Sequence, residues 1–144
     1  MRFLFFLLLL SSCFESGNSP ESALRDFVES RLAKIVTRED LIERTTGKLR
    51  LSIESMEDAD FIKMADLRDF KKDSFRIINK SCQDKKCYVT YSLGYHQGVK
   101  GKAQWTTEVK KISELLFIDG KWLIADVSNI KTYHESTEVI EVTP

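Results

Sequence analysis

The hydrophobic period of this 144-residue chain changes once, near Lys72, and that change limits the folds open to it. Before it, apolar residues recur at three- and four-residue steps, the spacing of amphipathic helices. After it they alternate or run in strings bounded by turn residues, the pattern of strands. Ser19-Pro20 reads as an N-cap followed by proline at the first helical position. Leu24, Phe27, Val28, Leu32, Ile35 and Val36 then form one apolar stripe on a helix over about residues 20–35. Thr37-Arg38-Glu39-Asp40 has the form of a capping box for a second helix carrying Leu41 and Ile42. Gly47 interrupts that helix, and Leu49, Leu51, Ile53 and Met56 continue a helical face. Ser55-Met56-Glu57-Asp58 resembles another cap, before a short helix with Phe61, Ile62, Met64, Ala65 and Leu67.

Strands are expected over residues 75–78, 88–93, 105–118 and 121–133, with a loop at 98–101. Asp119-Gly120 is a strong two-residue hairpin signal. Setting Ile118 opposite Lys121 places Phe117 against Trp122 and Leu115 against Ile124 on one face, with Asp126 on that same face. Leu116 then meets Leu123 and Ile112 meets Val127 on the other, and Glu108 meets Lys131 as a cross-strand ion pair. Both faces are apolar near the turn. Helices cover one, and the other needs a neighbour, a protein partner or a membrane; a homodimer through the sheet is one such cover. Helices followed by antiparallel strands make an α+β plan, with N-terminal helices packed on a curved antiparallel sheet. Residues 135–144 read as a tail, or alternatively as a short extra strand through Val139-Ile140.

The beginning of the chain is of another kind. Met1-Arg2 is a short positive start, and residues 3–10 are an unbroken apolar run. Eight helical residues span about 12 Å against about 30 Å of bilayer hydrocarbon, so the run is a secretory signal rather than a membrane span. Leu10-Ser11-Ser12-Cys13 resembles the lipobox of bacterial lipoproteins. The resemblance implies cleavage before Cys13, lipid on its thiol and an acylated new amine. It divides the chain into a signal peptide (1–12), a lipidated tether (13–19), a domain (20–134) and the tail (135–144). Two or more acyl chains give stable anchoring. The six residues from Phe14 to Ser19 reach about 20 Å when extended, so the domain stays close to its membrane. Phe14 is not the aspartate that retains many such lipoproteins in the inner membrane, which points to the outer membrane of the cell envelope where the host has one.

Export sets the redox reading. Cys82 and Cys87 are separated by Gln-Asp-Lys-Lys between two strand-like runs. A four-residue hairpin loop would place them opposite each other, and an oxidising compartment would keep them as a disulfide. That pairing sets Ile78 beside Tyr91 and turns Phe75 and Ile77 to the opposite face unless a bulge intervenes. Two cysteines with no histidine near in sequence do not complete a zinc site, and the spacing is not Cys-x-x-Cys. His96 and His134 read as strand-end surface residues, with His134 near Trp105. No metal and no cofactor is expected. Without residues 1–12 the chain keeps 21 basic and 22 acidic side chains, a formal charge of −1. That balance argues against nucleic acid as partner and against a polybasic hold on a membrane.

The stretch Phe117-Ile118-Asp119-Gly120-Lys121-Trp122-Leu123-Ile124-Ala125-Asp126-Val127 is similar to the closing segment of NTF2-like domains. Residues 19–28, and the helix beginning at Thr37, are similar to their first two helices. The resemblance covers about residues 20–134 and implies a cystatin-like cone whose sheet wraps round helices and often leaves a pocket. It does not decide activity, because the family includes both isomerase- and dehydratase-type enzymes and many non-enzymes. An isomerase-type site needs a carboxylate base and a hydrogen-bond donor in an apolar cavity. Asp126, Tyr91 and Tyr95, beside Trp122, are the candidates for such a pocket. Gly-rich phosphate loops, Gly-x-Ser-x-Gly and His-Glu-x-x-His are absent from the sequence. The expected protein is therefore a non-catalytic envelope lipoprotein that binds a protein partner or a small ligand. The alternatives are an isomerase- or dehydratase-like enzyme and an envelope immunity or inhibitor protein.

Overall fold

The computed structural model describes residues 18–97 and 105–136. Helix α1 (Pro20–Ala33) starts as its sequence requires. Ser19 is extended, and its side chain accepts from the Ser22 amide at 3.1 Å. Leu24, Phe27 and Val28 are buried along its stripe, but Ile35 is exposed because the helix ends at Ala33 and Lys34 is extended. Helix α2 (Arg38–Ile42) carries a complete capping box. The Asp40 amide donates to Thr37 Oγ1 and the Thr37 amide to Asp40 Oδ2, each at 3.1 Å.

Helix α3 (Gly47–Ser55) begins at Gly47, whose φ of +52° is left-handed. Helix α4 (Asp58–Ala65) has Glu57 rather than Ser55 at its N-cap, without a side-chain cap. Ile53, Phe61 and Ala65 enter the core, while Leu51 and Ile62 stay exposed. These two helices are short, so each buries only a narrow part of the apolar face expected of it.

Strands β1 (Lys71–Gln83), β2 (Lys86–Gln97), β3 (Trp105–Ile118) and β4 (Lys121–Ser136) form one antiparallel sheet in that order. The last hairpin turns at Asp119 and Gly120, both with positive φ (49° and 80°), the type I′ requirement. Its register agrees with the sequence reading from Ile118↔Lys121 to Leu115↔Ile124 and then departs from it. Ala125 is extra on β4, so Asp126 faces Glu114, Val127 faces Ser113 and Ser128 faces Ile112. A second irregularity between Lys110 and Lys111 sets Tyr133 opposite Glu108. The expected Ile112–Val127 and Glu108–Lys131 pairs are therefore not made, and Glu108 meets Arg76 at 3.1 Å instead. Because side chains alternate, one inserted residue moves every later one to the other face. Asp126 in this way leaves the face of Trp122 and Ile124. Likewise Trp105 pairs with Ser136, and His134 with Thr107.

The first hairpin is tighter than expected. Gln83 still pairs with Lys86, leaving a two-residue turn at Asp84 and Lys85 in place of the four-residue loop. A bulge at Ile78 gives Phe75↔Leu93 and Ile77↔Tyr91, which restores both apolar residues to the face that packs on the core. Helices and sheet meet through Leu24, Phe27, Leu41, Ile53, Val89, Leu93, Leu115 and Ile124. The opposite face exposes Ile78, Tyr88 and Tyr133.

Backbone bonds fix the layers to each other. Thr46 N–H donates to Ile124 O at 2.9 Å, Ile124 N–H to Arg44 O at 3.0 Å, and Leu67 N–H to Arg31 O at 3.0 Å. Asn18 Nδ2 donates to Gly120 O at 3.1 Å, and Phe117 N–H to Lys85 O at 2.8 Å. The chain thus enters the domain at the end where both hairpin turns lie. The expected strand option through Val139-Ile140, the loop at 98–101, Cys13 and the tether up to Gly17 lie outside the described residues.

Candidate functional site

The α1 stripe and the inward row of β3 each carry one residue that a pure core would not contain. Arg31 lies seven residues after Leu24, four after Phe27 and three after Val28, so it shares their face. On β3, Thr107, Val109, Ser113 and Leu115 are buried at alternate positions, and Lys111 is in the middle of that row. The two elements bring both cations to one cleft of about 360 Å³, between the helices and the sheet. Its walls come from α1 (Phe27, Leu32), the end of α4 and the following loop (Met64, Leu67, Phe70), β2 (Tyr91, Leu93, Tyr95) and Val109.

Arg31 is held in position. Its Nε donates to Phe27 O at 3.2 Å, its Nη1 to Met64 O at 3.4 Å, and its guanidinium stacks 4.4 Å from the centroid of the Phe27 ring. Neither Arg31 nor Lys111 has a carboxylate within 4 Å among the described residues. Burial pushes the Arg31 guanidinium below its ordinary range. Burial first, and then repulsion from Arg31, does the same to the Lys111 ammonium. The nearest acid on α1, Glu29, is bound to Lys72 at 2.6 Å and Arg25 at 3.5 Å.

Tyr91 and Tyr95 line the cleft. Tyr91 is fully buried against Phe75, ring centroids 5.4 Å apart, and Tyr95 meets Phe70 edge-on at 5.0 Å. Burial raises both phenols, and for Tyr91 the Ser113 hydroxyl and the charge of Arg31 act the other way. Ser113 Oγ is itself buried without a partner at hydrogen-bond geometry.

Asp126 and Trp122 are not among the lining residues. Asp126 Oδ1 accepts from the Val127 amide at 2.9 Å, and Oδ2 lies 3.5 Å from Lys48 Nζ. Trp122 packs on Phe117 at 5.2 Å, beside the hairpin turn. The bulge at Ala125 therefore takes the expected base away from the two tyrosines. The sequence reading passed over Arg31 and Lys111; the available signal was a cation at a core position of a helical stripe and of a strand row.

Cys82 and Cys87 oppose each other across the first hairpin with Cα atoms 4.1 Å apart and Sγ atoms at 2.01 Å, disulfide distance. They stand beside the turn, away from the cleft. His96 Nδ1 meets Thr106 Oγ1 and His134 Nδ1 meets Thr107 Oγ1, both at 3.0 Å. Among the described residues there is no cluster of three histidine, cysteine or carboxylate side chains that could hold a metal, and no helix long and apolar enough to cross a membrane.

No family model matches the chain, and no curated protein matches it. A solved structure does: a SEC-C motif containing protein from Rhodopseudomonas palustris, at a TM-score of 0.57 and 14% identity over 78% of this chain and 80% of that one. At that identity the likeness is one of fold.

Proposed function

We propose that this chain is a lipid-anchored protein of the bacterial cell envelope, with a non-catalytic, NTF2-like domain that binds a small ligand in the cleft between α1 and the sheet. The cleft itself carries the reading. Its volume of about 360 Å³ falls within the ~300–1,000 Å³ typical of ligand sites, and its walls are apolar and aromatic with a few polar groups. Helices first, a sheet of long antiparallel strands and a pocket on the helix-covered side agree with a reduced NTF2-like plan. A non-catalytic role is favoured because the lining lacks a carboxylate among the described residues, so a proton-abstracting base is wanting where the tyrosines lie. Membrane attachment is supported by Leu10-Ser11-Ser12-Cys13. A lipid on Cys13 would hold the Asn18 end, with both hairpin turns, towards the bilayer.

Two measurements test this. Cys13→Ala should release the protein from the membrane fraction and abolish incorporation of labelled palmitate; unchanged membrane partition with no label in either form would overturn the anchor. Native mass spectrometry of the purified chain, with amide NMR, should find small apolar molecules bound and the Leu93 and Val109 amides shifted. Isomerase or dehydratase turnover that is lost on Asp126→Asn would overturn the non-catalytic reading.

A further inference from the structure

We infer that the cleft selects a single-chain apolar carboxylate, with the carboxylate between Arg31 and Lys111 and the hydrocarbon against Leu32, Phe70, Leu93 and Val109. This rests on the ligand-binding reading above and names the ligand's chemistry.

The charge pattern is the first argument. Removing a cation from water without a partner is costly, and buried charges are normally paired. Here two partly buried cations from opposite walls face one apolar space, near enough to repel each other, and their unpaired nitrogens stay open to the cleft. The acid closest along α1 is taken by Lys72 and Arg25. An anion entering the cleft would end both deficits at once, where a neutral ligand would end neither.

Donor geometry is the second. A guanidinium offers a planar fork matched to a carboxylate. Arg31 uses Nε and Nη1 on backbone carbonyls that fix its plane, and Nη2 makes no hydrogen bond among the described residues. The fork is thus preset and partly free. Lys111 adds a compact second cation that makes no hydrogen bond among the described residues, and the buried Tyr91 lies in the same wall.

Size is the third. At about 30 Å³ for each water-sized group, the cleft holds on the order of twelve such groups. A medium-length chain with one carboxylate meets that figure, and a two-tailed lipid does not.

Decanoate and 1-decanol, titrated calorimetrically into the full chain with amide NMR in parallel, separate the possibilities. Decanoate should bind at least tenfold more tightly than decanol and shift the Leu93, Val109 and Lys111 amides. Arg31→Met and Lys111→Met should each reduce the ratio of decanoate to decanol affinity towards one, and Arg31→Lys should restore part of that preference. Lys111→Met is the safer variant if Arg31→Met fails to fold. Equal binding of acid and alcohol would overturn the charge selectivity and leave the cleft as a ligand site. If neither binds and the cleft amides do not move, the ligand-binding reading falls with it.

Discussion

Arg31 on α1 and Lys111 on β3 face one apolar cleft from opposite sides, and neither has a carboxylate partner among the described residues. Such an arrangement works against the stability of the empty domain. Residues selected for packing alone would be methionine or leucine at both positions.

Lys111→Met is accordingly expected to stabilise the ligand-free protein by ~0.5–2 kcal/mol, read from the urea midpoint. The pH dependence carries a second signature. Burial and Arg31 lower the Lys111 pKa on folding, so the unfolded chain binds more protons there. The wild type should therefore gain stability relative to the variant as pH rises towards the ordinary lysine value of about 10.4. A variant less stable than the wild type at neutral pH would contradict this.

Asp66 shows linkage of the same sign in the acid range. Arg68 Nε donates to Asp66 Oδ1 at 2.8 Å and Nη2 to Oδ2 at 2.7 Å, and these bonds hold the carboxyl at about 2. The contribution is fully present above the unfolded value of about 3.9 and is lost as pH falls through 2. Carbon-detected NMR titration should place the Asp66 midpoint near 2, and Arg68→Ala should raise it only part of the way to the ordinary aspartate range, because the residue-68 amide still donates to Asp66 Oδ1.

Breaking the Cys82–Cys87 link should cost about 2 kcal/mol, because the loop it closes is short and the entropy it removes from the unfolded chain is correspondingly small. The double variant Cys82→Ala/Cys87→Ala should stay folded, since the register on both sides is also held by Gln83↔Lys86 and the Ile78 bulge. Denaturant titration with and without reductant measures it; a loss above 4 kcal/mol would show that the hairpin depends on the link.

Gly47→Ala should destabilise by ~1–2 kcal/mol. The space is not the obstacle, for an added Cβ would meet Ala125 Cβ at an ordinary 3.6 Å. The cost is the left-handed φ of +52° at the first residue of α3. Thermal melts of the variant against Gly47→Asn would isolate it, asparagine tolerating that conformation better.

Local signals in the chain account for much of the architecture. Ser19-Pro20 set the start of α1, Thr37 to Asp40 the start of α2, and Asp119-Gly120 the last turn with four correct strand pairs beyond it. Each is decided by atoms within a few residues of one another, so sequence alone suffices. The candidate site was half legible. Tyr91 and Tyr95 line the cleft and Asp126 does not, while the signal for Arg31 and Lys111 is a cation at a core position of each pattern.

What the sequence determined by itself, then, is the order and type of elements, the caps of α1 and α2, the last turn, and the pairing of Cys82 with Cys87. The positions of the bulges at Ala125 and Ile78, and the meeting of Arg31 with Lys111, were decided only by tertiary structure. A bulge is placed by how two whole strands pack against a core, and one extra residue reverses the face of everything beyond it. Two cations 80 positions apart in the chain share a cleft only because a helix and a sheet close over the same space.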